Sequence, residues 1–266
     1  MHSLQTDHSS AKNNGENFAV TVIGAGTILP ANGRSPSCHL LRYGKQYAIF
    51  DLGPGSISRL ALADVDYRDI EMIFISHLHP DHTLDIVTLL HSLNATPGWV
   101  RTKPLIIAGC YGLKTFIERL LEIYRDAVPE SYSLEVLELT AGRHEVATMT
   151  VETWLTGHTS NSLAFRVELA NGTFVYSGDA VDRTAMAQIA RGADIFVCEC
   201  SFENGTQTDD HLTPEGAAMI AQMAGVGQLV LTHVYPHADL ALVCTQAAEH
   251  FAGPVIIATD GTVVSC

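Results

Sequence analysis

Four residues within the short segment Ser76-His77-Leu78-His79-Pro80-Asp81-His82 carry groups that bind metal ions or move protons. Imidazole is the commonest metal ligand and the usual acid–base group near neutral pH. His-x-His turns two rings to one side, and Asp81-His82 can turn to a second point nearby. So many donors exceed the needs of one ion. Two divalent cations about 3.5–4 Å apart would use them. One such loop cannot complete two sites, so further ligands are expected at other strand ends. Three candidates stand there: His158 in Leu155-Thr156-Gly157-His158, Asp179 in Tyr176-Ser177-Gly178-Asp179, and His233 in Leu231-Thr232-His233. His and Asp donors accept Zn, Mn, Fe or Co. The chemistry such a set performs is hydrolysis, in which two cations bring a shared water to hydroxide at neutral pH.

The elements that must hold these residues follow from the patterning. Apolar runs predict strands at 18–24, 38–43, 47–51, 70–76, 104–108, 134–139, 145–155, 162–169, 173–177, 195–200, 228–232 and 255–258. Helical spacing predicts helices at 56–64, 84–93, 110–126, 186–191, 214–224 and 242–251. Gly44-Lys45 and Asn171-Gly172 are the turn residues of two hairpins. Thr213 caps a helix that Pro214 begins. Pro80 bars a helix from continuing through the His77–His82 segment, which is read as a loop. In each half strands come first, then helix and strand alternate, so two sheets lie in the middle with helices outside.

The chain has 266 residues, 47% hydrophobic and 17% charged, which is globular composition. Residues 1–17 read as a disordered polar tail and 18–266 as a single domain, without a signal or membrane-spanning segment. The net charge of −14 opposes binding to a phosphate backbone, which runs on Lys and Arg. Six scattered cysteines read as the reduced thiols of a cytoplasmic protein.

The pieces Asp51-Leu52-Gly53-Pro54-Gly55, His77–His82, His158, Ser177-Gly178-Asp179 and Leu231-Thr232-His233 together resemble the metallo-β-lactamase superfamily, and more narrowly its ribonuclease Z-like branch. The likeness runs from about Phe18 to Val264. It implies an α/β fold, a four-layer αββα sandwich. It implies that His77, His79 and His158 bind one zinc, that Asp81, His82 and His233 bind the other, and that Asp179 bridges them. Manganese or iron are the alternative metals. Asp51 would orient a ligand histidine. Asp81 would also orient the attacking hydroxide. Glu199 in Cys198-Glu199-Cys200-Ser201-Phe202 and His211 in His211-Leu212-Thr213 resemble the branch's Glu…His pair, in which the His protonates the leaving oxygen and the Glu holds the His. Dimers are usual in this branch, so a homodimer is expected.

One departure bears on substrate. Members that process tRNA carry a long arm between the third and fourth motifs, whereas only 20 residues separate His158 from Asp179. With the acidic charge, this makes nucleic acid an unexpected partner. The expected activity is that of a phosphodiesterase on a small-molecule substrate. The alternative is a lactonase, carboxylic-ester or other promiscuous hydrolase (sulfatase, phosphotriesterase, β-lactamase-like) on the same metals. A di-iron redox protein would carry an acidic residue in place of a ligand histidine and a flavin domain, neither of which is seen. A non-catalytic metal protein would lack a ligand, and all seven are present. His2 and His8 fall in the tail. His91 and His250 read as surface groups, and His39 and His144 stay open. Trp99 and Tyr235-Pro236-His237 are candidates for the cleft mouth.

Overall fold

A computed structural model describes residues 18–206 and 209–265. The tail expected at 1–17 lies outside the described residues, as does Cys266. The strands are β1 (Phe18–Gly24), β2 (Cys38–Tyr43), β3 (Gln46–Phe50), β4 (Met72–Ile75), β5 (Leu105–Gly109), β6 (Leu134–Glu138), β7 (Gly142–Val146), β8 (Met149–Leu155), β9 (Leu163–Leu169), β10 (Gly172–Tyr176), β11 (Ile195–Glu199), β12 (Gln228–Thr232), β13 (Val255–Ile257) and β14 (Thr262–Ser265). The helices are α1 (Ser56–Leu62), α2 (Pro80–Thr83), α3 (Asp85–Ala95), α4 (Leu113–Ile123), α5 (Arg183–Ile189), α6 (Pro214–Ala224) and α7 (Leu240–Ala248).

Two seven-stranded sheets form, ordered β14-β1-β2-β3-β4-β5-β6 and β13-β12-β11-β10-β9-β8-β7. Each half begins with antiparallel strands and continues with parallel ones, changing at β3 in the first sheet and at β10 in the second. Parallel strands covered on both faces are continuous apolar runs, as β4 and β11 are. β8 alternates, burying Met149, Val151 and Thr153.

Three apolar clusters define the layers. Phe50, Phe74, Phe165 and Phe174 meet between the sheets, with the Phe50 ring 5.1 Å from Phe174 and 5.6 Å from Phe165. Ile73, Ile107, Leu60, Leu89 and Leu113 join the first sheet to its helices, and Phe196, Leu229, Met186, Ile220 and Val243 do the same for the second. The layers are therefore helix, sheet, sheet, helix, as expected.

Four details differ from the sequence reading. The strand expected at 145–155 is a hairpin, because Ala147 takes a left-handed turn (φ 51°) that no glycine announces. β14 has no counterpart among the predicted strands; it returns to pair with β1, Ala19 opposite Ser265. α5 and α7 begin earlier than predicted because Asp182 and Asp239 cap them. Pro80 does not merely end a loop. It occupies the first position of α2, where its missing N–H costs nothing, so Asp81 and His82 lie on a single helical turn.

Candidate metal centre

The site residues leave the carboxyl ends of strands in both sheets and meet across one end of the sandwich. Asp51 follows β3, Ser76 and His77 follow β4, Asp179 closely follows β10, Glu199 ends β11 and His233 follows β12. Backbone bonds lock these ends together. Leu163 N donates to Ser76 O, Leu52 N to His82 O, and His233 N to Ala25 O. Asp51 and His233 hold left-handed backbone conformations, φ 59° and 57°. Such angles are uncommon for residues with a side chain and concentrate at functional sites. Gly178, at φ 57°, precedes Asp179; a Cβ there would stand 2.8 Å from the Ser76 Cβ. Only glycine lets the two strand ends approach so closely.

Two groups of donors converge. In the first, His79 Nδ1 lies 3.0 Å from His77 Nε2 and 3.3 Å from His158 Nε2. Asp179 Oδ2 lies 3.7 Å from the same two Nε2 atoms. In the second, Asp81 Oδ2 lies 3.4 Å from His233 Nε2 and 3.8 Å from His82 Nε2. Asp179 Oδ1 lies 3.6 Å and 3.5 Å from those nitrogens. Each oxygen of Asp179 thus faces one group. Tetrahedral ligands about 2.0–2.1 Å from zinc stand about 3.4 Å apart, which is the spacing of both groups.

Hydrogen bonds behind the rings show which nitrogens carry protons. Asp51 Oδ2 accepts from Ser76 Oγ at 2.7 Å, so that hydroxyl accepts from His77 Nδ1 at 3.0 Å. His82 Nδ1 donates to Asp51 at 2.7 Å, and His158 Nδ1 donates to Asp210 O at 2.7 Å. Ser201 Oγ donates to Glu199 Oε2 and accepts from His233 Nδ1 at 3.0 Å. In the neutral ring every inward Nε2 therefore presents a lone pair. His82 Nε2 is buried without a hydrogen-bond partner. An orphaned inward nitrogen of this kind fits a cation.

Charge supports the same conclusion. Burial pushes His77 and His79 below the ordinary imidazole range, with the neighbouring His82 and His158 rings adding to it, so both are neutral. Burial also opposes charge on His82, but Asp179 and Asp51 outweigh it and hold His82 well above that range. Without a cation, a proton on His82 takes the place of positive charge. Burial would raise Asp179 and Asp81, yet the surrounding imidazoles hold both carboxyls below their usual range.

His211 lies beside the first group. Its Nδ1 is 3.0 Å from Glu199 Oε1 and 4.0 Å from Asp179 Oδ2. Glu199 is fully buried and also accepts from Ala180 N and Ser201 N. Burial lowers the His211 pKa, but Glu199 overrides it and lifts the value to about 9.

The structure brings together all ten candidates: His77, His79, Asp81, His82, His158, Asp179, His233, Asp51, Glu199 and His211. Others fall elsewhere. Trp99 packs against the helical layer of the first sheet under the Arg68 guanidinium. His39 is buried beside Tyr176, and burial pushes it down to about 3, so it is a neutral packing group. His144 bonds Thr140 O. Three participants were not anticipated. Ser76, Ser201 and Tyr176, whose hydroxyl donates to Asp51 at 2.6 Å, fix the rings from behind. Only the position of Ser76 one residue from His77, and of Ser201 two from Glu199, hinted at it.

A fold of two sheets between helices, with His and Asp clusters at the strand ends, defines a metal-dependent hydrolase. Residues 48–234 match the beta-lactamase superfamily domain, and the chain belongs to that superfamily. Within it the chain is ribonuclease Z-like. It is 29% identical over 240 residues to ribonuclease Z of Mycobacterium bovis (strain BCG / Pasteur 1173P2), covering 82% of this chain and 86% of that one. Human tRNase Z, short form, superposes with a TM-score of 0.75 at 25% identity, covering 92% of this chain and 98% of the other. The metallo-beta-lactamase fold protein YhfI of Bacillus subtilis shares the fold with a TM-score of 0.83 at 24% identity, covering 94% and 100%.

Proposed function

We propose that the chain is a dinuclear-metal phosphodiesterase acting on a small substrate. In this reading His77, His79 and His158 would hold one ion and Asp81, His82 and His233 the other, with Asp179 serving both groups. Zinc is the first choice for such donors, with manganese or iron accepted by the same set. Bound divalent ions supply Lewis acidity, bringing the deprotonation of water toward neutral pH and offsetting charge on anionic oxygens.

The observation that carries the phosphodiester reading is His211 at 3.0 Å from Glu199 and 4.0 Å from Asp179. Glu199 favours the protonated ring, lifting its pKa to about 9 in the metal-free protein. Glu199 takes the Nδ1 proton in a hydrogen bond and fixes the ring. The Nε2 proton is then the one given to the departing oxygen. Asp81, an ionised carboxylate in the second group, would orient the attacking water. Positioned proton donors of this kind contribute about 10²–10⁴ in rate.

The ribonuclease Z relatives bear the name of enzymes that cleave RNA. For this chain a small diester is favoured by the net charge of −14. The β9–β10 hairpin, which occupies most of the short stretch from His158 to Asp179, supports the same choice. The five described cysteines are unpaired, which supports a cytoplasmic setting.

The test is to load the protein with Zn²⁺ or Mn²⁺ and assay a chromogenic phosphodiester, a simple lactone and a short RNA side by side. The phosphodiester is turned over fastest. Turnover of the lactone alone would contradict the phosphodiesterase reading, and preference for the RNA would contradict the small substrate.

A further inference from the structure

Phe202 and Tyr235 join none of the three core clusters formed by the described residues. Phe202 lies three residues past Glu199 and Tyr235 two past His233. The parallel neighbours β11 and β12 therefore deliver them side by side. Their rings stack at 4.7 Å with 22° between planes. Their remaining ring neighbours belong to the site or its rim. Phe202 is 5.9 Å from His211, and Tyr235 is 6.2 Å from both His211 and His233. His237 flanks the pair at 6.1 and 5.9 Å.

The pair is half-buried yet firmly braced. Tyr235 N donates to Ser201 O, and Asp239 N donates to Glu203 Oε1. Asn204 accepts from Glu215 N and donates its own N–H to Gln246 Oε1, tying the segment after Phe202 to α6 and α7. Large aromatic rings held in place but left partly in water, outside any core, form a surface on which another ring can stack. Both rings meet His211, the residue assigned to the departing oxygen.

We infer that the stacked Phe202–Tyr235 pair is the leaving-group subsite, selecting phosphodiesters whose departing alcohol carries a planar ring. The inference rests on the phosphodiesterase reading for the direction in which substrate lies, and it adds a preference that the metal ligands cannot impose. The phosphate is held where the donor groups converge, and the ring of the departing group lies on the aromatic pair. An alkyl group of the same size gains only its buried area.

The test compares methyl phenyl phosphate with methyl cyclohexyl phosphate, an alkyl ester of the same size, on the metal-loaded protein, by calorimetric binding and by turnover. Wild type binds the phenyl ester about 3- to 10-fold more tightly, the range a stacked pair adds. Phe202→Leu and Tyr235→Leu, which lose the ring, bring the two affinities together by weakening the phenyl ester more than the cyclohexyl ester. Equal affinities in wild type would overturn the inference, whatever the variants do. A parallel loss for both esters in both variants would overturn it too, because it marks a merely structural pair. Failure of the phosphodiesterase reading shows separately: neither ester is hydrolysed, while the binding preference is still measured.

Discussion

Asp51 Oδ2 lies 2.7 Å from His82 Nδ1, on the side of the ring opposite Asp179. The same oxygen accepts from Ser76 Oγ and Tyr176 OH, and Ser76 in turn holds His77. One buried carboxylate thus sets the tautomer of a histidine in each donor group. Asp51→Asn presents an amide N–H₂ or a single oxygen to these donors. Metal affinity is expected to fall about 10- to 100-fold, as for other partners of ligand histidines. Competition with a chromophoric chelator measures it. Unchanged affinity would remove Asp51 from this role.

Seven donors converge, five of them buried, and a cation that satisfies them is expected to stabilise the fold. At an ion concentration about 100 times Kd the gain is about 2.7 kcal/mol. For a chain of this size that raises Tm by about 5–10 °C. Asp179→Asn should abolish most of the rise and reduce the bound metal, counted by mass spectrometry, below the two ions per chain expected of wild type. An equal rise in wild type and variant would contradict the bridging role.

The Glu199–His211 pair sets a pH window. Its folded pKa of about 9 is raised above the unfolded value of about 6.5. The stability this pair contributes is therefore fully present below about pH 6.5 and is lost as pH rises through about 9. In metal-free protein, NMR titration of the His211 ring should give a midpoint near 9 in wild type and a lower one in Glu199→Gln. A midpoint that does not move would show that Glu199 does not hold the charge.

Gly53 positions the ligand helix by its lack of a side chain. A Cβ there would stand 2.1 Å from Asp81 O and 2.8 Å from the Pro36 Cβ. Gly53→Ala must push the backbone of Asp81 away, at a cost of about 1–3 kcal/mol in denaturant unfolding. It should also weaken metal binding. A variant with wild-type stability and metal content would show that the two segments can separate freely.

The converging donor residues stood out in the sequence because their types cluster and stand close after apolar runs. Glu199 and His211 were legible only as a resemblance, since nothing in their spacing reveals that β11 brings the carboxylate within hydrogen-bond reach of the His211 ring nitrogen. Ser76, Ser201 and Tyr176 stayed hidden because their roles come from pairing across distant strands; Tyr176 reaches Asp51 from the other sheet. β14 escaped notice because Thr262–Ser265 is four residues long and its partner lies at the other end of the chain. The order of strands first and then alternating helix and strand was legible in both halves, whereas which strands pair shows only in the topology.

In the proposed reaction His211 gives its proton to the departing oxygen at a two-metal site. The most direct measurement is kcat/KM for phosphodiesters of increasing leaving-group pKa in wild type and His211→Ala, both fully metal-loaded. Wild type should depend weakly on the leaving group. The variant should lose about 10²–10⁴ in rate on alkyl esters and little on nitrophenyl esters. A loss of the same size across the whole series, or no loss at all, would contradict the account.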